Sequence, residues 1–200
     1  MGYRLIAGVD EVGRGAMAGP LVAAAVVLPP DIAEFGETPS ALAGVRDSKL
    51  LSEVARCRLL PTICATALAV AVGVVEAGEL DEIGAGPANR LAMERAVQAL
   101  PIVPEALVLD AATIDLDVPQ VGLIDGDARC LSIAAASIVA KVTRDRFMTE
   151  CHGIDPRFGF AAHKGYCTED HLAALARFGP CDLHRRSFAP VGRVCNGLKP

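Results

Sequence analysis

No stretch of this 200-residue chain reaches the roughly 18 uninterrupted apolar residues that a membrane-spanning helix needs. Its longest apolar region, residues 65–75, reads instead as a buried strand. The opening Met1-Gly2-Tyr3-Arg4 lacks the basic start and long apolar run of a secretory signal, so a cytoplasmic protein with no membrane partner is expected. The seven cysteines contain no Cys-x-x-Cys pair, which excludes the usual zinc-ligand spacing, and their odd number rules out a complete disulfide framework. They read as small apolar core residues in a reducing compartment. Internal repeats, low-complexity tracts and linkers are also missing.

What is present suits one compact domain. Apolar residues make up 52% and charged residues 22%, which excludes a disordered or fibrous chain. The net charge of −5 is unevenly spread. Residues 1–140 carry 9 Lys/Arg against 18 Asp/Glu, whereas residues 141–200 carry 10 against 6 and hold all four histidines. An acidic part joined to a basic part suits a phosphodiester-cleaving enzyme, one surface for metal and one for phosphates, but on its own the basic part reads equally as an ordinary solvated face.

The pattern of elements is that of a mixed α/β sheet. Strands are expected over 4–9, 21–28 and 67–75, the second stopped by Pro29-Pro30 because proline lacks the ladder donor. Residues 31–51 read as a loop. Ser52 caps a helix to about residue 64, which Pro61 should shorten or kink. A helix starting at Pro87, two short strands at 106–110 and 120–124, and a long helix over 129–148 follow. Thr168 caps a last helix that Gly179-Pro180 ends. Strands with short connections, then strands alternating with helices, give this class.

Four acids stand where apolar strand-like runs give way to loops. Asp10 and Glu11 follow Leu5-Ile6-Ala7-Gly8-Val9, Asp110 follows Ala106-Leu107-Val108-Leu109, and Asp127 follows Val121-Gly122-Leu123-Ile124. Carboxylates at the ends of adjacent strands converge on one sheet edge, where like charges are costly unless a cation neutralises them. Oxygen-only donors suit a hard ion such as Mg²⁺. A metal-dependent enzyme is the first reading. Asp125 lies two residues from Asp127, and spacing alone does not separate the two.

Five segments are more specific than this spacing. Gly8-Val9-Asp10-Glu11-Val12-Gly13-Arg14-Gly15, Asp47-Ser48-Lys49, Ala134-Ala135-Ala136-Ser137-Ile138-Val139-Ala140-Lys141-Val142-Thr143-Arg144-Asp145, His163-Lys164-Gly165-Tyr166 and His184-Arg185-Arg186-Ser187-Phe188 each resemble the ribonuclease H type 2 family. They occur in the family's order, from about Ile6 to Val191, and are most similar to the bacterial single-chain form.

That resemblance implies an α/β ribonuclease H-like mixed sheet with helices on both faces and a helical C-terminal extension. One domain is expected, with a core over 1–145, the extension over 146–191 and a loose tail over 192–200. It implies that Asp10, Glu11, Asp110 and Asp127 bind two divalent ions, Mg²⁺ or Mn²⁺, and selects Asp127 over Asp125. It further implies that Gly13-Arg14-Gly15 and Tyr166 recognise the junction between a ribonucleotide and the following deoxyribonucleotide. Two residues without side chains let backbone approach a sugar and bond its 2′-hydroxyl. Candidate phosphate contacts are Arg46, Lys49, Ser137, Lys141, Lys164, Arg185 and Arg186. Ser137 could equally pack on the sheet, and the two arginines could brace the acids instead. His163 and His184 read more readily as structural than as proton relays.

The implied activity is a metal-dependent endoribonuclease acting on RNA–DNA hybrids and on single ribonucleotides in duplex DNA, cutting 5′ of the ribonucleotide. A monomer is expected, and Gly192-Arg193-Val194-Cys195-Asn196 shows no glutamine-plus-aromatic sliding-clamp peptide. Rivals are a same-fold nuclease needing a continuous RNA run and a catalytically silent nucleic-acid-binding module. A nucleotide-binding α/β protein would need a Gly-x-Gly-x-x-Gly turn opening a helix, and here the turn leads into a strand.

Overall fold

The computed structural model describes residues 2–34 and 42–200. In chain order its elements are β1 (Ile6–Val12), β2 (Leu21–Val27), α1 (Pro30–Glu34), α2 (Glu53–Thr66), β3 (Ala69–Val75), α3 (Ala77–Ile83) and α4 (Ala85–Gln98). Then come β4 (Ala106–Asp110), β5 (Gln120–Leu123), α5 (Gly126–Arg129), α6 (Leu131–Ile154), α7 (Phe160–His163), α8 (Glu169–Phe178) and α9 (Ala189–Cys195). Two compact units emerge. The first runs to Val12 and takes in Val22–Val74 and Arg90–Val142; the second comprises Gly13–Leu21, Val75–Asn89 and Thr143–Pro200.

The first unit holds a five-stranded sheet in the order β3-β2-β1-β4-β5. Strand β1 pairs antiparallel with β2 and parallel with β4, and β4 pairs parallel with β5. All seven residues of β2 are buried, as expected of an uninterrupted apolar strand covered on both faces. Val22, Ala24 and Val26 pack with Ala135, Ile138, Val139 and Val142 of α6, and Val70 and Val72 of β3 join that cluster. Gly73, one residue along, turns the other way, where an added Cβ would stand 2.1 Å from the Ala92 carbonyl of α4. Strand alternation therefore sets helices on both faces. Gly8 in β1 is needed for contact: a Cβ there would stand 2.3 Å from the backbone of Ser132, so the small residue admits α6.

Several boundaries differ from expectation. Strand β1 does not stop at Val9 but continues through Asp10 and Glu11, which pair with Ala24 and Ala23. Pro61 neither ends nor shortens α2, which reaches Thr66; the proline is exposed, where water can serve the carbonyl it leaves without a donor. Ser52 caps this helix by accepting from the Ala55 N–H at 3.2 Å. The loop expected over 31–51 lies in part on residues 35–41, outside the described residues; its remainder includes the end of α1 and a 3-10 turn at Ser48–Leu50.

In the second unit, Phe158, Phe160, Met148 and Ala18 form one apolar cluster and Met17, Leu175 and Val191 another. Thr168 caps α8 as expected, accepting from the His171 N–H at 3.3 Å. The unit is not confined to the C-terminal extension, since residues 13–21 and 75–89 belong to it. Helix α9 carries order through Cys195, where a tail from residue 192 was expected, and the Leu198 N–H still bonds the Arg193 carbonyl at 2.9 Å. No helix among the described residues is long and apolar enough to cross a membrane.

Candidate active site

All four predicted acids lie in the first unit. Asp10 is 4% exposed within β1, and its Oδ1 accepts from the Glu11 N–H at 2.7 Å. Burial, then the Glu11 and Asp110 carboxylates, push its carboxyl up to about 8, against a bond from Ser137 that works downward. Asp110 ends β4, and its Oδ1 accepts from the Gly126 N–H at 2.8 Å. That bond ties the start of α5 to the end of β4, and α5 carries Asp127, which is buried. Burial pushes the Asp127 carboxyl up, Lys49 opposes this, and Asp47 and Asp110 add to it. Lys49 reaches Asp127 at 3.4 Å from a largely exposed position, a pair of small energetic worth. Asp125 is exposed, with φ 54, at the cap of α5.

The donor set fits a hard divalent cation: it is all oxygen, and besides burial the neighbouring carboxylates push up Asp10 and Asp127, an effect a metal ion would relieve. As placed, no group of three or more His, Cys, Asp or Glu side chains among the described residues stands ready to hold an ion. The fit is one of chemistry and of neighbourhood. Backbone strain marks the same places. Ala111, just after Asp110, has φ 51 and Asp125 φ 54, conformations that cost an L-residue on the order of 1–2 kcal/mol each. Lys164, the remaining such non-glycine residue among those described, stands beside Gly165-Tyr166.

Ser137 is 4% exposed, and its Oγ lies 2.7 Å from that of Ser48, so it braces the interior of this unit. Lys141 is half-buried in α6, and Arg46 is exposed.

The second unit brings the remaining predicted residues together. Gly13 has φ 89, and a Cβ on it would stand 2.2 Å from Arg144 Nε, so only glycine suits the position. Arg14 and Gly15 are exposed, and a Cβ on Gly15 would meet nothing within 4 Å. Arg185 is fully buried: its Nη1 donates to the Gly13 carbonyl at 2.7 Å and the Arg14 carbonyl at 3.1 Å, and its Nε to that of Gly19 at 3.0 Å. Burial, then Arg144, push its guanidinium down to about 10. Arg186 is exposed, and its N–H bonds Asp81 at 2.6 Å, as does that of Ser187 at 3.0 Å. Lys164 is 8% exposed, and its ammonium donates to Thr149 Oγ1 at 3.2 Å and to the Ala161 carbonyl. Tyr166 is half-buried.

The histidines form a directed chain. His171 Nδ1 meets the Tyr166 carbonyl at 2.9 Å and must carry the proton there, which leaves its Nε2 to accept from His184 Nε2 at 3.1 Å. His184 Nδ1 in turn accepts from the Cys181 N–H at 3.1 Å. His163 stacks on His171 with ring centres 4.3 Å apart, and its Nε2 bonds the Phe158 carbonyl. Burial above all pushes both His171 and His184 down to about 4, so the chain is neutral near pH 7. Sequence reading missed Arg144, Asp47 and Asp81 as contributors. Arg144 and Asp47 carried a signal, since both stand inside the quoted family-like segments; Asp81 carried none.

A mixed five-stranded sheet with acids at the ends of β1 and β4 and at the start of α5 defines a ribonuclease H-like protein. Ribonuclease H2 from Pyrococcus horikoshii OT3 shares this fold with a TM-score of 0.78 at 24% identity, covering 96% of this chain and 97% of that one. Bst ribonuclease HIII, solved in complex with Mn²⁺, matches with a TM-score of 0.71 at 25% identity over 99% and 71%. The sequence profile of ribonuclease HII matches residues 7–191. Ribonuclease HII of Chloroflexus aurantiacus is 52% identical over 191 residues, 95% of this chain and 89% of that protein. The chain belongs to the ribonuclease HII family, and it is an endoribonuclease, a hydrolase of RNA in RNA–DNA hybrids.

Proposed function

We propose that this enzyme cuts single ribonucleotides embedded in duplex DNA as well as continuous RNA–DNA hybrids, on the 5′ side of the ribonucleotide, leaving a 3′-hydroxyl and a 5′-phosphate. Asp10, Glu11, Asp110 and Asp127 would hold two divalent cations, Mg²⁺ or Mn²⁺. When bound, these supply activation of the attacking water and neutralise charge on the attacking and leaving oxygens of an in-line displacement. The observation that carries this reading is geometric: buried Asp10 adjoins Glu11 in β1, and Asp110 at the end of β4 accepts from the Gly126 N–H beside buried Asp127.

The chain's own residues do the rest. Gly13-Arg14-Gly15 offers backbone to a 2′-hydroxyl, with open space in front of Gly15. Tyr166 stacks on the following deoxyribose and disfavours an added hydroxyl there. Exposed Arg14, Arg46, Lys49 and Arg186, with Lys141, bind phosphates; buried Ser137, Lys164 and Arg185 hold their neighbours in place. The enzyme works as a cytoplasmic monomer.

The test is cleavage of a DNA duplex carrying one ribonucleotide against a continuous hybrid, with and without Mg²⁺ or Mn²⁺. Wild type should cut both, and only with metal. Tyr166→Ala should slow the single-ribonucleotide reaction roughly tenfold or more, since stacking contacts are worth about 1–3 kcal/mol. Cutting of the continuous hybrid alone by wild type would replace this reading with a nuclease that needs an RNA run.

A further inference from the structure

Arg144 is fully buried in the second unit, and the proposed chemistry makes no use of it. Its guanidinium donates Nε to the Pro20 carbonyl at 2.8 Å, Nη2 to that of Ala18 at 2.9 Å and Nη1 to that of Lys164 at 2.8 Å. Its Cζ stands 5.4 Å from the centre of the Tyr166 ring, within cation–π range. On another side it lies flush against Gly13. One planar fork thus grips two segments far apart in sequence, the 13–20 turn and the 164–166 turn. Backbone bonds stitch the same pair, with Met17 and Ala18 N–H groups donating to the Gly165 carbonyl at 3.0 and 3.2 Å.

A buried structural arginine commonly satisfies itself on carbonyls, and three such bonds would offset much of its desolvation. What sets Arg144 apart is which carbonyls it takes. Lys164 has φ 51 and Gly165 φ 85, a turn that persists only where its surroundings over-determine it. A lysine could not replace the fork, because a single ammonium cannot meet three divergent carbonyls and present a flat face to a ring at once.

We propose that Arg144 is a positioning residue for junction recognition: it holds Tyr166 in register with the Gly13-Arg14-Gly15 turn and acts through them without touching the substrate. This rests on the reading of those residues as the junction sensors. Arg144 therefore governs selectivity between a lone ribonucleotide and a continuous hybrid more than it governs cleavage itself.

The experiment measures kcat and KM on both duplexes for wild type, Arg144→Lys, Tyr166→Ala and the double variant. Arg144→Lys should lower kcat/KM on the single-ribonucleotide duplex by about tenfold relative to the hybrid. The double variant should lose no more selectivity than Tyr166→Ala alone, because the arginine acts through the tyrosine. The ring signals of Tyr166, in protein labelled at its two tyrosines, should shift in substrate-free Arg144→Lys while those of Tyr3 stay put. Equal losses on both substrates, additive losses in the double variant, or unmoved Tyr166 signals would each overturn the inference. Arg144→Gln replaces the lysine variant if that does not fold, and failure of both to fold overturns it too, by making Arg144 a general support. A wild type unable to cut the lone ribonucleotide, or a Tyr166→Ala with unchanged selectivity, would instead remove the reading beneath it, visibly in arms that leave Arg144 intact.

Discussion

The first unit crowds carboxylates and leaves their repulsion standing, whereas the second buries two arginines and two histidines and bonds each of them internally. Asp10 sits among Glu11, Asp110 and an interior that disfavours charge, and its proton affinity rises accordingly. Arg144 donates Nε, Nη1 and Nη2 to backbone carbonyls, and Arg185 donates Nε and Nη1 and keeps a buried Nη2 without a bond among the described residues. His171 and His184 pass one neutral chain of bonds from Cys181 to the Tyr166 carbonyl. Crowded carboxylates suit a cation, whereas guanidinium groups bonded to backbone carbonyls hold loops in shape. On the proposed function, the same distinction separates a centre for chemistry from one for recognition.

The largest effect should come from removing the conflict. Asp10→Asn or Asp110→Asn should abolish cleavage in Mg²⁺ while leaving metal-free stability equal or higher. Because the folded-state value of Asp10 is raised from 3.8 to about 8, the folded protein binds more protons than the unfolded chain in that window, and its stability falls as pH rises through it. Asp10→Asn should remove that decline in urea titrations from pH 5 to pH 9. Near-normal turnover by either variant would erase the contrast between the units.

Gly8→Ala should cost about 1–3 kcal/mol by overpacking β1 against the α6 backbone, read from urea midpoints. A neutral outcome would mean that α6 can slide and that Asp10 is not rigidly placed.

The second unit should respond to pH in the opposite sense. His171 and His184 fall from 6.5 to about 4 on folding, so the folded state binds fewer protons between those values. Their contribution is present above pH 6.5 and is lost as pH falls through 4. His184→Gln should make this acid-side loss shallower, and imidazole resonances titrating near 6.5 in the native protein would contradict the neutral chain.

The smallest effect separates neighbours. Exposed Arg186→Ala should reduce the salt dependence of duplex binding by about one unit of slope, while buried Arg185→Ala should lower stability and leave the slope alone. Equal slopes for both variants would place the two arginines in one class.

Much of this was legible beforehand. The apolar run of β2, the caps at Ser52 and Thr168, the glycine after α8 and the acids near the strand ends are local signals, each set by a few adjacent residues. Tolerance of Pro61 was not, because it depends on which face of α2 meets water. Helix α3 was overlooked for want of a side-chain cap at Glu76.

By itself the sequence determined the α/β class, the order of the five strands and the longer helices, and the candidate acids, since periodicity, breakers and motif wording are properties of neighbouring residues. Only tertiary structure decided that β1 extends through Asp10 and Glu11, because that pairing depends on Ala23 and Ala24 of another strand. It also decided that Lys164 and Arg185 turn inward while Arg186 stays exposed. A basic residue in a string carries its charge but not its partners; which carbonyls surround a guanidinium is fixed only when distant loops close around it.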